Sequence, residues 1–444
     1  MSSPSPSETG VRSAASDRPR MLAPGYAVPF ILVTALFFFW GIPNNLNDIL
    51  IKQFMKSFEI NRFQAGLVQS AFYMGYFLLS MPAALIMKKY TYKTGLVIGL
   101  FLYSLGTFLF WPAAIVRQYG FFLFALFVIA SGLAFLETGA NPFVARLGDP
   151  RTAEQRLNFA QAFNPLGAVT GVLVGTIFIF SGIELTPAEI AAMKARGEYD
   201  AYLQHETMRV VEPYLVLGAV VFIWALLILK TRFPTVADEA DHAAEKGRVR
   251  DLFRQRHFVL GVVAQFFYVG AQVGTWSYFI QYVQDYTGQP EKVAGYFLTG
   301  TLVAFGVGRF SATYLMKFVA PNILMGVYGV INVALVGVGV LMPGWIGVWA
   351  IFFTSFFMSL MFPTIFALAI KGLGPNTKIG GSMVVMAIIG GAVFTPVMGL
   401  VFEWTHSMAM AMLVPLVCYV VITHYAFIGS KLRLPQPASA GRLE

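Results

Sequence analysis

The apolar residues of this chain come in long runs. They follow neither the alternation of a half-buried strand nor the single-face pattern of a surface helix. A run of about 20 apolar residues is what a helix needs to cross a bilayer. Twelve such runs can be marked, at 26–51, 65–87, 94–115, 121–145, 158–181, 211–230, 258–284, 294–316, 322–342, 346–370, 380–402 and 408–429. Two polar gaps are long. Residues 182–209 form a mixed-charge loop with a short helical stretch from Pro187 to Arg196, expected outside the membrane. Residues 231–256 carry acidic and basic clusters and read as a solvated linker between two halves. The fourth run holds Asn141-Pro142-Phe143 and the tenth Phe362-Pro363-Thr364, about half a chain apart, which suggests a duplicated six-helix unit. The expected fold is therefore an all-α membrane protein of 12 transmembrane helices in two pseudo-symmetric six-helix bundles, 26–230 and 257–430. The Ser-, Pro- and Arg-rich segment 1–25 is expected to be a disordered tail and not a signal peptide, and 431–444 a C-terminal tail.

Composition agrees with a bilayer protein: 57% of residues are hydrophobic and 12% charged, against roughly 25% charged in an average soluble domain. The net charge of +9 alone could point to nucleic acid, but its distribution excludes that reading. With a cytoplasmic N-terminus, the even-numbered loops and both tails hold about 23 of the 31 Lys and Arg, the bias that sets membrane orientation. Both termini are thus expected in the cytoplasm of a multi-pass protein of the bacterial inner membrane. The single cysteine, Cys418, can form no intrachain disulfide. The five histidines show no metal-ligand spacing, and there is no phosphate-binding loop, so no metal, cofactor, ATP-driven step or soluble-type catalytic centre is expected.

The candidate chemistry lies where polar residues interrupt the runs. An ionised side chain at membrane depth costs from about 2.5 to over 10 kcal/mol, so it normally faces a water-filled path or a partner. Asp48 stands in the first run, with Trp40 and Asn44 at helical spacing on the same face. Glu137 stands in the fourth, one turn before Asn141 and followed by the helix-breaking Pro142. The fifth opens with Asn158, Gln161 and Asn164, a stripe of amides that both donate and accept, as sugar hydroxyls require. The seventh has Gln265, Tyr268, Gln272 and Trp276 on one face. Arg309, near the end of the eighth, is expected to have a structural or gating role. Plainer roles exist for each: Glu137 as a polar lock between helices, and the amides as interhelical glue.

Several segments together resemble the fucose:proton symporter family of the major facilitator superfamily: Phe39-Trp-Gly with Asn44-Asn-Leu-Asn-Asp48, Leu136-Glu-Thr-Gly-Ala-Asn-Pro142, Ala160-Gln-Ala-Phe-Asn164, Tyr268-Val-Gly-Ala-Gln272 with Trp276-Ser-Tyr278, and Thr395-Pro-Val-Met-Gly399. The resemblance runs from about Pro29 to Leu432. It implies a major facilitator fold with a central cavity open alternately to either side. It also implies proton coupling through Asp48 and Glu137, sugar contacts from Gln161 and Asn164, and cavity-lining positions at Trp40, Gln272 and Trp276. One position departs from the family pattern, which has a cavity tyrosine before the proline of Met361-Phe362-Pro363. Phe362 lacks that hydroxyl, and a missing hydroxyl can retune sugar choice.

The expected function is symport of a proton with a monosaccharide, with L-fucose ahead of galactose, glucose and N-acetylglucosamine, by a monomer in the lipid bilayer. Desolvation disfavours a charged carboxyl, so proton uptake would lower the cost of closing the loaded cavity, and Asn44 would join Gln161 and Asn164 in holding the sugar. The rivals are sodium coupling, a proton-coupled drug exporter of the same fold, and a membrane enzyme acting on lipid-linked sugars.

Overall fold

A computed structural model describes Leu22, residues 25–148, Arg156, and residues 159–234, 249–316, 318–373 and 376–430. The C-terminal tail, all of the N-terminal tail but Leu22 and Gly25, and most of the expected linker lie outside the described residues, as does Asn158. Twelve helices are long and apolar enough to cross a membrane. They are α1 Ala27–Phe58, α2 Arg62–Met87, α3 Tyr92–Val116, α4 Tyr119–Val144, α5 Phe159–Ile179, α6 Tyr199–Lys230, α7 Arg256–Thr287, α8 Glu291–Leu315, α9 Pro321–Leu341, α10 Trp345–Ile370, α11 Gly380–Thr405 and α12 Met408–Gly429. All twelve apolar runs became helices. The first continues for seven residues past the expected end at 51, because Gln53 and Lys56 are carried beyond the apolar stretch and find polar partners there.

The segment 182–209 needs one correction. Its short helix, Pro187–Arg196, forms as expected, with a capping box in which Thr186 and Glu189 satisfy each other's backbone N–H. These hydrogen bonds from the Thr186 backbone and hydroxyl hold the Glu189 carboxyl below its ordinary range. A second helix, Tyr199–Met208, then runs into the sixth span. Polar Gln204, His205 and Glu206 hid it from a reading based on apolar runs.

The helices pair in two matching sets. In the first half α1 lies against α5, α2 against α4, and α3 against α4 and α6; in the second, α7 lies against α11, α8 against α10, and α9 against α10 and α12. Each pairing recurs six helices later. The halves meet through α2 with α11, α5 with α8, and α1 with α7, a set that maps onto itself under the same six-helix shift. This is the duplicated unit suggested by the two Asn/Phe-Pro segments.

Prolines inside the helices explain several contacts that sequence spacing could not. Proline has no N–H, so it frees the carbonyl four residues earlier, and membrane helices tolerate this where a neighbour takes up the carbonyl. Pro43 frees Phe39, whose carbonyl accepts from the Tyr103 hydroxyl on α3 at 2.8 Å. Pro363 frees Ser359, whose carbonyl accepts from Arg309 Nε at 3.3 Å. Pro396 frees Ala392, whose carbonyl accepts from Ser70 of the opposite half at 2.6 Å.

Candidate functional site

The cross-half hydrogen bonds and ion pairs found among the described residues all lie in the half of the molecule nearer the odd-numbered loops. At the rim, Arg62 at the start of α2 forms a two-pronged pair with Asp285 of α7, at 2.7 and 2.9 Å, with its guanidinium 3.7 Å over the Phe402 ring of α11. The Arg62 backbone N–H donates to Glu403, and its carbonyl accepts from the Tyr278 hydroxyl. On the opposite side of the rim, Lys56 bridges Glu206 of its own half at 3.1 Å and Glu291 of the other at 3.3 Å. Glu184 accepts from Gln284 and from the Glu291 backbone N–H. These pairs close the odd-loop side.

The Arg62 pair is partly buried, which places it above the median surface ion pair, worth about 0–1 kcal/mol. Arg62→Ala is expected to shift the population towards molecules open on the odd-loop side by roughly threefold to tenfold, or about 0.7–1.4 kcal/mol. Spin labels on the exposed positions 195 and 405, read by pulsed electron resonance, check this. An unchanged distance distribution would show that the pair does not hold the rim.

One layer deeper lies Asp48, 2% exposed. Its Oδ1 accepts from Gln69 Nε2 of α2 at 3.0 Å and from the Ser277 hydroxyl of α7 at 2.9 Å. Gln69 Nε2 also donates to Ser277 Oγ at 2.9 Å, and Asn47 Nδ2 donates to Gln69 Oε1 at 3.4 Å. No cation pairs with Asp48 among the described residues. The carboxyl thus stands at the junction of the two halves, surrounded by neutral donors.

Towards the termini the surroundings loosen. Glu137 of α4 is half-buried, and among the described residues its carboxyl has neither a hydrogen bond nor an ion pair. Asn141 Nδ2 donates to the Glu137 backbone carbonyl at 3.1 Å, and Asn141 Oδ1 accepts from Gln161 Nε2 of α5 at 3.1 Å. Asn164 Nδ2 donates to the Phe37 carbonyl of α1 at 3.3 Å. Asn44 is half-buried and accepts from the Tyr76 hydroxyl at 3.5 Å. Trp40, also half-buried, stacks on Phe37 with ring centroids 5.3 Å apart. Gln161 is exposed. Asn44, Glu137, Asn141, Gln161 and Asn164 therefore sit on α1, α4 and α5 with donors and acceptors unspent.

The expected α7 stripe is mostly internal. Tyr268 is fully buried and donates to the Met358 carbonyl, and Gln265 is fully buried with no protein partner for its amide among the described residues. Trp276, 8% exposed, donates from Nε1 to Ser355, which also bonds Thr301, and its ring meets Phe305 edge-on. Gln272 alone remains half-buried and free of protein partners among the described residues. Shared spacing placed these four on one face, but neighbouring helices of the same half cover Tyr268 and Trp276, and Gln265 is buried as well. Arg309 lies over Phe305 at 4.9 Å and caps the carbonyl freed by Pro363. Phe362 meets the Tyr268 ring edge-on at 6.1 Å.

Four contributors were missed from sequence: Gln69, Ser277, Tyr73 and Tyr76. The two tyrosines of α2 are stacked at 6.1 Å, and Tyr73 is within electrostatic reach of both Asp48 and Glu137. Each is a common residue in an otherwise apolar run, and only the helix pairing brings it to an acid. An apolar groove of about 510 Å³ between α2, α7 and α11, lined by Phe77, Val262, Phe267 and Met386 among others, offers a polar solute nothing.

Comparison with known proteins places this geometry. The Major Facilitator Superfamily profile matches residues 29–393. The chain is 43% identical over 411 residues to the L-fucose-proton symporter of Escherichia coli K12, covering 91% of this chain and 94% of that protein. It is 35% identical over 412 residues to the glucose/galactose transporter of Brucella abortus strain 2308, covering 91% and 95%. Among solved structures, the Major Facilitator Superfamily transporter FucP in the outward conformation superposes with a TM-score of 0.68 at 43% identity, over 90% of this chain and 98% of that one. These relatives are transporters, not enzymes. A multi-pass protein of the inner membrane with twelve helices in two matching sets, this chain belongs to the Major Facilitator Superfamily and, within it, to the fucose:proton symporter family.

Proposed function

We propose that the chain imports a monosaccharide together with a proton, L-fucose first, by alternating access, as a monomer with both termini in the cytoplasm. The observation that carries this reading is the pair of acids in unlike surroundings. Asp48 is enclosed where the halves meet, and Glu137 lies beside unspent amides on α4 and α5. An ionised carboxyl enclosed by neutral groups is costly, so proton uptake favours closing the outer side around Asp48. With termini in the cytoplasm, the latched odd-loop side is the outside and this arrangement faces inward.

The sugar would be held by Asn44, Gln161, Asn164 and Gln272, whose amides can donate and accept in fixed directions. Trp40 would offer an aromatic face to an apolar sugar surface, while Trp276, tied to Ser355, would back the wall. Asn141 would orient Gln161, and Pro142 would keep α4 adaptable beside it. Neither cofactor nor metal is required; the coupling ion is the proton and not sodium. Orientation follows from the basic residues of the even-numbered loops. The relatives named L-fucose-proton symporter support fucose. A glucose or galactose substrate is the second reading, favoured by Phe362 in place of a hydroxyl-bearing residue and by the relatives with that name.

A pH electrode in a lightly buffered suspension of de-energised cells tests the proposal. Adding L-fucose is expected to make the medium more alkaline, and galactose or glucose less so. Labelled uptake with a flat trace would refute proton coupling and leave sodium coupling or facilitated diffusion. No uptake of any of these sugars would refute the sugar reading in favour of an exporter.

A further inference from the structure

We propose that Ser277, held with Gln69, is a positioning residue that reads the protonation of Asp48 across the two halves and ties it to closure of the outer side. The inference rests on the proton-symport reading above and assigns its coupling to one turn of α7.

The first support is positional. Asp48 of α1 and Ser277 of α7 meet at 2.9 Å where the first helices of the two halves approach each other. The next residue, Tyr278, donates its hydroxyl to the backbone carbonyl of Arg62, whose guanidinium latches the rim to Asp285 of the same α7. One turn of α7 thus touches both the carboxyl and the outer latch.

The second support is hydrogen-bond accounting. Gln69 Nε2 has two hydrogens, one for Asp48 and one for Ser277 Oγ; the Ser277 hydroxyl hydrogen goes to Asp48; the Gln69 carbonyl oxygen takes Asn47. Gln69 and the Ser277 hydroxyl hydrogen are thus fully engaged, every donor is neutral, and among the described residues Asp48 Oδ2 and Asn47 Oδ1 have no hydrogen-bond partner. Both bonds to the carboxyl end on Oδ1, so a proton on Oδ2 breaks neither. The assembled network accepts the neutral acid whole. An ionised Asp48 would sit among the same neutral donors without a cation.

The third support is adjacency. Trp276 precedes Ser277, and Gln272, the α7 amide free of protein partners among the described residues, lies one turn earlier. A solute held by Gln272 and a proton on Asp48 therefore act on the same stretch of α7. Either alone leaves that stretch half-committed, which is the requirement for coupled fluxes.

Ser277→Ala removes a single oxygen from a fully buried site and is the least disruptive probe. Ser277→Thr restores the hydroxyl. For each, two quantities are measured with L-fucose in membrane vesicles: sugar accumulated under an inward proton gradient, and exchange at equal pH on both sides. Ser277→Ala is expected to lower the ratio of accumulation to exchange about tenfold, with fewer protons moved per sugar, and Ser277→Thr to recover most of it. If Ser277→Ala keeps the wild-type ratio and protons per sugar, the proposal is overturned. It is also overturned if both quantities fall by one common factor, since that is a structural role alone. A wild type that moves sugar without protons overturns the symport reading and this inference together.

Discussion

Asp48→Asn is expected to abolish uphill sugar accumulation, and Glu137→Gln to do the same. With one proton per sugar, each unit of inward pH difference supports about a tenfold sugar gradient, since one unit is worth about 1.4 kcal/mol. Either variant should flatten that slope and bring the steady-state ratio of inside to outside sugar close to one. The routes differ. Asparagine at position 48 can still accept from Ser277 and Gln69 through its carbonyl, so the outer latch still assembles, but its closure no longer depends on proton supply. Glutamine at 137 removes the second titrating group beside Asn141 and Gln161, so the proton has no exit towards the sugar side. Sugar exchange at equal pH, which needs no net proton movement, should outlast accumulation in both. Labelled L-fucose uptake in vesicles at several imposed pH differences gives the slope directly. A slope of wild-type steepness in both variants would refute the assignment of coupling to these acids.

Gly167→Ala is expected to part α1 from α5 and cost the protein both its packing and its transport. A β-carbon at Gly167 would overlap the carbonyl oxygen of Phe38, lie 2.9 Å from that carbonyl carbon and 3.2 Å from the Gly41 α-carbon. At Gly41 it would lie 2.9 Å from the Ala168 backbone nitrogen. These obstacles are backbone atoms, which cannot swing aside like the end of a side chain, so the helices themselves must separate. Overpacking of this kind costs about 1–3 kcal/mol or more. The cost also reaches function, because this crossing sets Asn164 against the Phe37 carbonyl and Gln161 beside Asn141. Gly390 makes the equivalent crossing of α11 on α7, with its β-carbon directed into the carbonyl of Phe266. The same replacement there should fail in the same way. Gly337→Ala, where a β-carbon meets open space, is the control and should be neutral or slightly stabilising, because alanine suits a helix better than glycine by up to about 1 kcal/mol. Melting temperature in detergent and initial rates of L-fucose uptake separate the three. Equal melting temperatures for Gly167→Ala and Gly337→Ala would refute the close-crossing account.

What the sequence determined by itself was everything that depends on distance from water along the chain. The apolar runs fixed twelve helices, since a backbone in hydrocarbon must satisfy its own hydrogen bonds. The basic residues set an expected orientation, and the cost of charge at membrane depth singled out Asp48 and Glu137 with no knowledge of their neighbours. The second helix of the 182–209 segment escaped because its residues are polar and its helical state rests on contacts with α1, such as Gln53 to Glu206. Only the tertiary structure decided which side is closed and what touches each acid. Gln69 and Ser277 are a glutamine and a serine like many others until α2 and α7 bring them to Asp48, and of two glutamines on the same α7 stripe Gln265 is fully buried while Gln272 is half-buried. Periodicity assigns a residue to a face of its own helix; whether that face meets a neighbouring helix, the opposite half or a cavity is settled by glycines that admit close crossings and by carbonyls that prolines leave for side chains on other helices.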